Sequence, residues 1–105
     1  AVVGVLFNEG SENSVIKTIW ANAPQTETPE KVVAETTVNP GALLPKRFHF
    51  YSFEGSLTTP PCTEGVTFYI LKTPMQMSRA QIEAFPFKTN ARPVQPLNGR
   101  KVLAN

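Results

Sequence analysis

The feature that most constrains this chain is a segment rich in proline and glycine at residues 55–65, which reads Gly-Ser-Leu-Thr-Thr-Pro-Pro-Cys-Thr-Glu-Gly. Pro60 and Pro61 have no amide hydrogen to donate, and Pro60 biases Thr59 toward an extended backbone. The segment is therefore too rich in proline and glycine to be regular structure, and we expect a stiff loop. The stiff backbone of this loop is therefore expected to restrict the positions of the Thr58 and Thr59 hydroxyls.

The residues on either side of this loop have the pattern of strands. Upstream, Phe48, Phe50 and Phe53 stand among other side chains in the alternation expected of a half-buried strand or extended arm. Downstream, residues 66–72 form a strand that places Val66 and Phe68 on the same face. The loop is thus expected between two elements with aromatic side chains.

The rest of the chain predicts further short elements. Residues 1–7 form a strand buried on both faces, because their apolar side chains do not alternate. Helical spacing predicts a helix over 12–22 with Ser11 as N-cap, and a capping box at Ser78 and Gln81 predicts a second helix over 78–84. Two further strands are expected at 32–38 and 101–103.

Composition excludes several classes of protein. The 105 residues are 41% hydrophobic and 17% charged, which suits one domain of ordinary size. No stretch approaches the roughly 18 to 20 apolar residues of a membrane span. The net charge is +2 and the basic residues are scattered, so nucleic acid is not an expected partner. The basic pairs Lys46 with Arg47 and Arg100 with Lys101 are interpreted as solvated loop charges.

Cysteine and histidine each occur once. Cys62 cannot form a disulfide within the chain, so it is a buried small side chain, half of a bridge to a segment outside this chain, or a reactive thiol. His49 alone cannot supply the three ligands of a catalytic zinc, so no metal site is expected within these residues. We expect His49 to be exposed or hydrogen-bonded, with proton shuttling as the alternative.

Two further sites have a functional and a structural interpretation. A threonine hydroxyl both donates and accepts, so a rigidly held Thr58 could orient a metal-bound hydroxide, but from the residues alone a turn cap is favoured. Arg92, between Ala91 and Pro93, is expected to be a buried structural clamp rather than a substrate-binding residue.

Three motifs together strongly resemble the α-carbonic anhydrases, especially their secreted bacterial members. They are residues 55–66, Leu43-Leu44-Pro45 upstream, and Arg92-Pro93-Val94-Gln95-Pro96-Leu97-Asn98 downstream. The resemblance covers essentially the whole chain and implies that residues 1–105 are the C-terminal half of a single domain. It implies an α+β, mainly β fold: half of a central twisted, mostly antiparallel sheet with short flanking helices. The absent N-terminal half holds the zinc-binding histidines of the family.

The resemblance implies a role for individual residues. Thr58 is the catalytic hydroxyl that accepts a hydrogen bond from a zinc-bound hydroxide, and Thr59 contacts bicarbonate or inhibitors. The carbonyl of Asn90 accepts from a zinc-bound histidine of the absent half. Arg92 is a structural arginine. The apolar pocket for carbon dioxide consists of Val2, Leu57, Val66 and Phe68. Phe68 departs from many relatives, which have Trp there.

The function that the resemblance implies is zinc-dependent, reversible hydration of carbon dioxide to bicarbonate and a proton by the full-length enzyme. This chain alone is expected to be inactive. The expected partners are carbon dioxide, bicarbonate, sulfonamide-type inhibitors, the missing N-terminal half and, as a candidate, a second copy in a homodimer. Bacterial relatives pair the cysteine after Pro-Pro with one near the N-terminus, which implies a bridge from Cys62 and a periplasmic or extracellular location. The alternative is a noncatalytic carbonic-anhydrase-like binding module that has lost its zinc ligands.

Overall fold

The computed structural model describes residues 1–105, which divide into two compact units. Unit 1 comprises Ala1–Leu6, Pro45–Pro74 and Asn90–Asn105, and unit 2 comprises Phe7–Leu44 and Met75–Thr89. The strands are β1 (Val2–Gly4), β2 (Phe7–Glu9), β3 (Phe50–Ser56), β4 (Glu64–Leu71), β5 (Met75–Met77) and β6 (Leu103–Ala104). The helices are α1 (Ser14–Asn22) and α2 (Arg79–Ala84), with a 3-10 turn at Pro40–Leu43. Neither α-helix has the length and apolarity needed to cross a membrane.

Unit 1 is built on a four-stranded sheet in the order β1-β4-β3-β6. β3 pairs with β4 and with β6 in antiparallel fashion, whereas β1 runs parallel to β4. The sheet is therefore mixed and mostly antiparallel, and it flanks the proline-rich loop as the sequence predicts. The loop itself, residues 57–63, connects β3 to β4.

One face of this sheet carries apolar side chains from three strands. Val2 is the partner of Phe68, and Phe68 is the partner of Phe53, so the three side chains form a row across β1, β4 and β3. The rings of Phe53 and Phe68 stack in parallel with their centroids 5.2 Å apart. Val66 lies two residues before Phe68 on the same face, opposite Gly55. We call Val2, Phe53, Val66 and Phe68 the Phe68 face.

The Phe68 ring approaches Gly55 closely. A Cβ atom at this position would lie 3.0 Å from Cε2 and 3.2 Å from Cδ2 of Phe68. The ring therefore occupies space that any other residue at position 55 would fill. The backbone register also shifts between Gly55 and Ser56, where β3 leads into the loop.

Unit 2 contains both helices and a two-stranded parallel ladder of β2 and β5. The side chain of Asn13 caps α1 by accepting from the amides of Val15 and Ile16. Ser78 caps α2, and Gln81 completes the predicted capping box. The Gln81 side chain is buried and also bonds the backbone of Asn13 in both directions. One glutamine thus joins the N-termini of α1 and α2.

Several sequence predictions are wrong in detail. Residues 1–7 form two separate short strands rather than one strand buried on both faces, and Val3 and Leu6 are 55% and 61% exposed. The reason is that β1 has a single neighbour, β4, and lies at the edge of its sheet. No strand forms at 32–38, because no other strand pairs with that segment. Helix α1 begins after Asn13, not after Ser11.

The core of these 105 residues is small. The buried apolar side chains are Ile16, Pro45, Leu71 and Met77, and no side chain is less than 2% exposed. Large apolar residues are exposed in both units, including Phe48 and Val32. A domain of this length normally buries enough apolar surface to offset the entropy of folding. Much of the apolar surface here is therefore without a partner within the chain.

Candidate functional site

The proline-rich loop is closed by its own backbone. The amide of Leu57 donates to the carbonyl of Thr63, and the amide of Cys62 donates to the carbonyl of Thr59, both at 2.9 Å. The Pro60-Pro61 peptide bond within this turn is cis. These bonds confirm a loop at residues 57–63. Residues 55–56 and 64–65, also predicted to be irregular, belong to β3 and β4 instead, because the ladder between these strands extends to Ser56 and Glu64.

The hydroxyls of Thr58 and Thr59 are free. Both residues are exposed. The threonine hydroxyls that form hydrogen bonds within the chain belong to Thr18 and Thr67. The turn is closed by the carbonyl of Thr59, which accepts from the amide of Cys62. The prediction that a threonine hydroxyl caps this turn is therefore wrong. Each of the two hydroxyls retains its donor and both lone pairs for another group.

A cavity of about 340 Å³ in unit 1 brings Thr58 together with two residues of the Phe68 face, Phe53 and Phe68. Its walls include Phe53 and Phe68 from the sheet and Leu97 from the C-terminal segment. Aliphatic and aromatic side chains therefore meet the exposed hydroxyl of Thr58 and the other polar side chains of the lining, which are Ser56, Arg92, Gln95 and Arg100.

The cavity gathers some of the residues selected from the sequence and not others. Arg92 lines it together with Thr58 and Phe68. Val2 and Val66 share the face of Phe68 but do not line the cavity, and Leu57 is exposed beside Thr58. Thr59 and Asn90 also lie outside its walls. Asn90 is exposed and its carbonyl accepts no hydrogen bond within the chain.

The predictions for the two arginines of the C-terminal segment, Arg92 and Arg100, are both wrong. Arg92, expected as a buried clamp, is exposed and its guanidinium forms no hydrogen bond or ion pair. Arg100, interpreted as a solvated loop charge, donates to the carbonyls of Glu54, Pro96 and Leu97 at 2.8 to 3.0 Å. The sequence signal for this contact is the Asn-Gly pair before Arg100, which forms a turn and brings the Arg100 amide to the Leu97 carbonyl.

Cys62 and His49 lie apart from any cluster of reactive groups. Cys62 is a half-buried free thiol whose backbone has a φ of 55°, in the left-handed region. His49 is exposed, as predicted, and its carbonyl accepts from the amide of Lys72 at 2.8 Å. Neither side chain lines the cavity beside Thr58.

Comparison with known proteins decides the family. All of residues 1–105 match the family model described as eukaryotic-type carbonic anhydrase. The chain belongs to the α-carbonic anhydrase family. It is 48% identical over 107 residues to a carbonic anhydrase of Klebsiella pneumoniae and 45% identical over 105 residues to one of Neisseria gonorrhoeae. These matches cover 98% and 97% of this chain.

The fold agrees with that of solved α-carbonic anhydrases. The α-carbonic anhydrase of Thermovibrio ammonificans, solved with the inhibitor sulfanilamide, superposes with a TM-score of 0.85 over 95% of this chain at 44% identity. The present chain spans 45% of that structure, and 43% and 41% of the two bacterial relatives. It therefore corresponds to less than half of the α-carbonic anhydrases that it matches.

The side chains of this chain do not fit a zinc site. A catalytic zinc takes three protein ligands, usually histidine, cysteine or carboxylate. No group of three or more such side chains comes together anywhere in the chain.

Phe53 is a cavity residue that the sequence interpretation treated only as part of a strand. Its contact with Phe68 follows from the antiparallel register, in which residues 53 and 68 are partners. Residues of β3 and β4 can be paired from the sequence by counting equal distances from the loop along each strand. This count gives the correct partners only if the register shift between Gly55 and Ser56 is known. The sequence shows the two aromatic residues but not that they meet.

Proposed function

We propose that this chain supplies one wall of the substrate cavity of an α-carbonic anhydrase that interconverts carbon dioxide with bicarbonate and a proton. The observation that carries the proposal is the cavity in which the free hydroxyl of Thr58 stands beside the aromatic pair Phe53 and Phe68. Membership of the family supports it. The full-length enzyme uses zinc, whose ligands belong to an N-terminal half, and residues 1–105 are the C-terminal half of the same domain.

The chemistry of the wall suits the reaction. Carbon dioxide is nonpolar and is better held by apolar side chains than by water. Phe53 and Phe68 supply such side chains within the cavity, and Val2, Val66 and Leu57 extend the apolar surface beside it. The hydroxyl of Thr58 accepts one hydrogen bond and donates another, so it orients the lone pair of the attacking oxygen toward the carbon. Thr59 contacts the bicarbonate product, and the unpaired carbonyl of Asn90 receives a donor from the missing half.

Thr58 is tested by replacing it with alanine in the full-length protein. Hydration of carbon dioxide, followed by stopped flow, should fall about a hundredfold, the loss expected when a reacting group is no longer oriented. Thr37→Ala is the matched control, since Thr37 is exposed and its hydroxyl forms no hydrogen bond. Unchanged turnover in Thr58→Ala would refute the orienting role. Absence of turnover in the wild-type protein would refute the enzyme and favour a noncatalytic binding module.

Sulfonamide binding belongs to the same proposal. The relative from Thermovibrio ammonificans was solved with sulfanilamide. We expect an aromatic sulfonamide to place its ring against the apolar residues near Thr58 and to contact Thr59. Calorimetric titration of the full-length protein with sulfanilamide should show one site, and binding undiminished in a Thr59→Arg variant would exclude this placement.

Cys62 is proposed to form a disulfide with a cysteine near the N-terminus of the full-length protein, in the periplasm or outside the cell. Support comes from its partial burial and from the absence of a second cysteine in these residues. Disulfides persist in oxidising compartments and stabilise by limiting the unfolded chain. Thiol labelling of the unreduced, denatured full-length protein should leave Cys62 unmodified. Full labelling at this residue would refute the bridge.

A further inference from the structure

The segment at residues 92–97, here called the strap, crosses beside the sheet without joining it. It contains no helix or strand, and its residues are exposed. Its only internal side-chain hydrogen bond runs from Gln95 to the carbonyl of Pro93 at 2.9 Å. No backbone hydrogen bond connects it to β3 or β4. Something other than the ladder must therefore determine where the strap lies.

One side chain makes that connection. The Nε of Arg100 donates to the carbonyl of Leu97 at 2.9 Å, and Nη2 donates to the carbonyl of Pro96 at 3.0 Å. The remaining arm, Nη1, donates to the carbonyl of Glu54 in β3 at 2.8 Å. The planar guanidinium thus bridges the end of the strap to the sheet with three bonds in a fixed geometry.

The charge of Arg100 has no carboxylate partner. The ion pairs in the chain are Lys17 with Glu12 and Arg79 with Glu83. A half-buried guanidinium that bonds only carbonyls is not explained by charge pairing. Its geometry suits the holding of two backbone segments at a set distance, because the donors of an arginine lie in a rigid planar fork, whereas those of a lysine radiate from one nitrogen atom.

The bridge fixes the distance between the strap and β3, and this distance is the width of the cavity beside Thr58. Leu97 of the strap forms one wall, and Phe53 and Phe68 of the sheet form another. Glu54, which receives the third bond, directly follows Phe53 in β3. Loss of the bridge would therefore let Leu97 move away from the aromatic pair and leave the apolar part of the cavity wider.

We propose that Arg100 is a positioning residue that sets the width of the substrate cavity by holding the strap against β3. Its consequence for catalysis rests on the proposed carbonic anhydrase function. Thr58 is held separately, through the loop bonds of Leu57 with Thr63 and Thr59 with Cys62. Arg100, which itself lines the cavity, therefore acts on the binding of substrate and not on the orientation of the attacking oxygen.

The kinetic test uses Arg100→Gln and Arg100→Lys in the full-length protein, with Arg47→Gln as the control. Arg47 is exposed and forms no hydrogen bond or ion pair. Arg100→Gln should raise the KM for carbon dioxide about tenfold, the effect of losing about one charge-assisted hydrogen bond, with kcat changed by less than about twofold. Arg100→Lys should recover part of the loss. A residue with a purely structural role would lower Tm and leave KM unchanged, and that result would overturn the inference.

A second measurement separates this inference from the proposed function. The methyl order parameter of Leu97, measured by NMR in the full-length protein, should fall in Arg100→Gln and stay at its wild-type value in Arg47→Gln. If the wild-type protein does not hydrate carbon dioxide, the proposed function fails while this comparison still decides whether Arg100 holds the strap. An unchanged order parameter in Arg100→Gln would overturn the positioning role whatever the activity.

Discussion

Replacement of the buried Gln81 in α2 by alanine should destabilise the protein strongly. The side chain of Gln81 is 8% exposed. Its Oε1 accepts from the amide of Asn13 at 2.9 Å and from the amide of Ser78 at 3.0 Å. Its Nε2 donates to the carbonyl of Asn13 at 2.8 Å. Alanine would remove all three bonds. The carbonyl of Asn13 would keep its bond from the amide of Lys17, whereas the amides of Asn13 and Ser78 would lose their partner.

The magnitude follows from the number of groups left unpaired. A buried backbone group that loses its partner costs about 1 to 3 kcal/mol. Asn13 and Ser78 are half-buried, so water reaches part of them and each cost lies near the lower limit. Two such groups give a loss of about 2 kcal/mol in the free energy of unfolding. This is a large part of the roughly 5 to 15 kcal/mol that stabilises a typical domain.

Urea unfolding of the full-length protein measures the effect. Gln76→Ala is the matched control, because Gln76 is exposed and its side chain accepts one bond, from the amide of Ser11 at 3.2 Å. Its removal should cost less than about 0.5 kcal/mol, as for most surface substitutions. Equal losses for Gln81→Ala and Gln76→Ala would refute the reasoning.

Two further outcomes are expected. Gly55→Ala places a Cβ atom 3.0 Å from the Phe68 ring and should lower the free energy of unfolding by about 1 to 3 kcal/mol, as overpacking does; thermal denaturation checks this, and a Tm equal to that of wild type would contradict the close approach. These 105 residues expressed alone should bind no stoichiometric zinc, because His49 is their only histidine. Elemental analysis of the isolated chain, beside the full-length protein, would disprove this if it found one zinc per chain.

The helix ends and the loop show how much local sequence determines. Ser78 followed three residues later by Gln81 predicts the start of α2, and the structure has that capping box. Pro60 and Pro61 predict an irregular loop between two strands, and β3 and β4 lie on either side of it. These features depend on bonds that close within a few residues, so the necessary partners are adjacent in the chain. The motifs of the loop also identified the family correctly.

Features that join distant parts of the chain were decided by the tertiary structure. The three-residue ladder of β2 and β5 pairs Phe7 with Met75, and neither segment alone has enough length to predict a strand. Residues 32–38 have a favourable composition for a strand and no neighbour to pair with. Asn13, not Ser11, caps α1, in a position where Gln81 bonds its backbone from the other helix.

The candidate site also has features that the sequence predicts and features that depend on the fold. From the sequence alone, Thr58 stands on a stiff loop and Phe68 on the adjacent strand. Only the folded chain shows that Phe53 stacks on Phe68 and that Arg100 bridges the strap to the sheet. A capping or turn bond needs a partner a few residues away, which the order of residues supplies. A strand pair or an arginine bridge needs an unpaired backbone group at the right place in space, and only the arrangement of the whole sheet provides it.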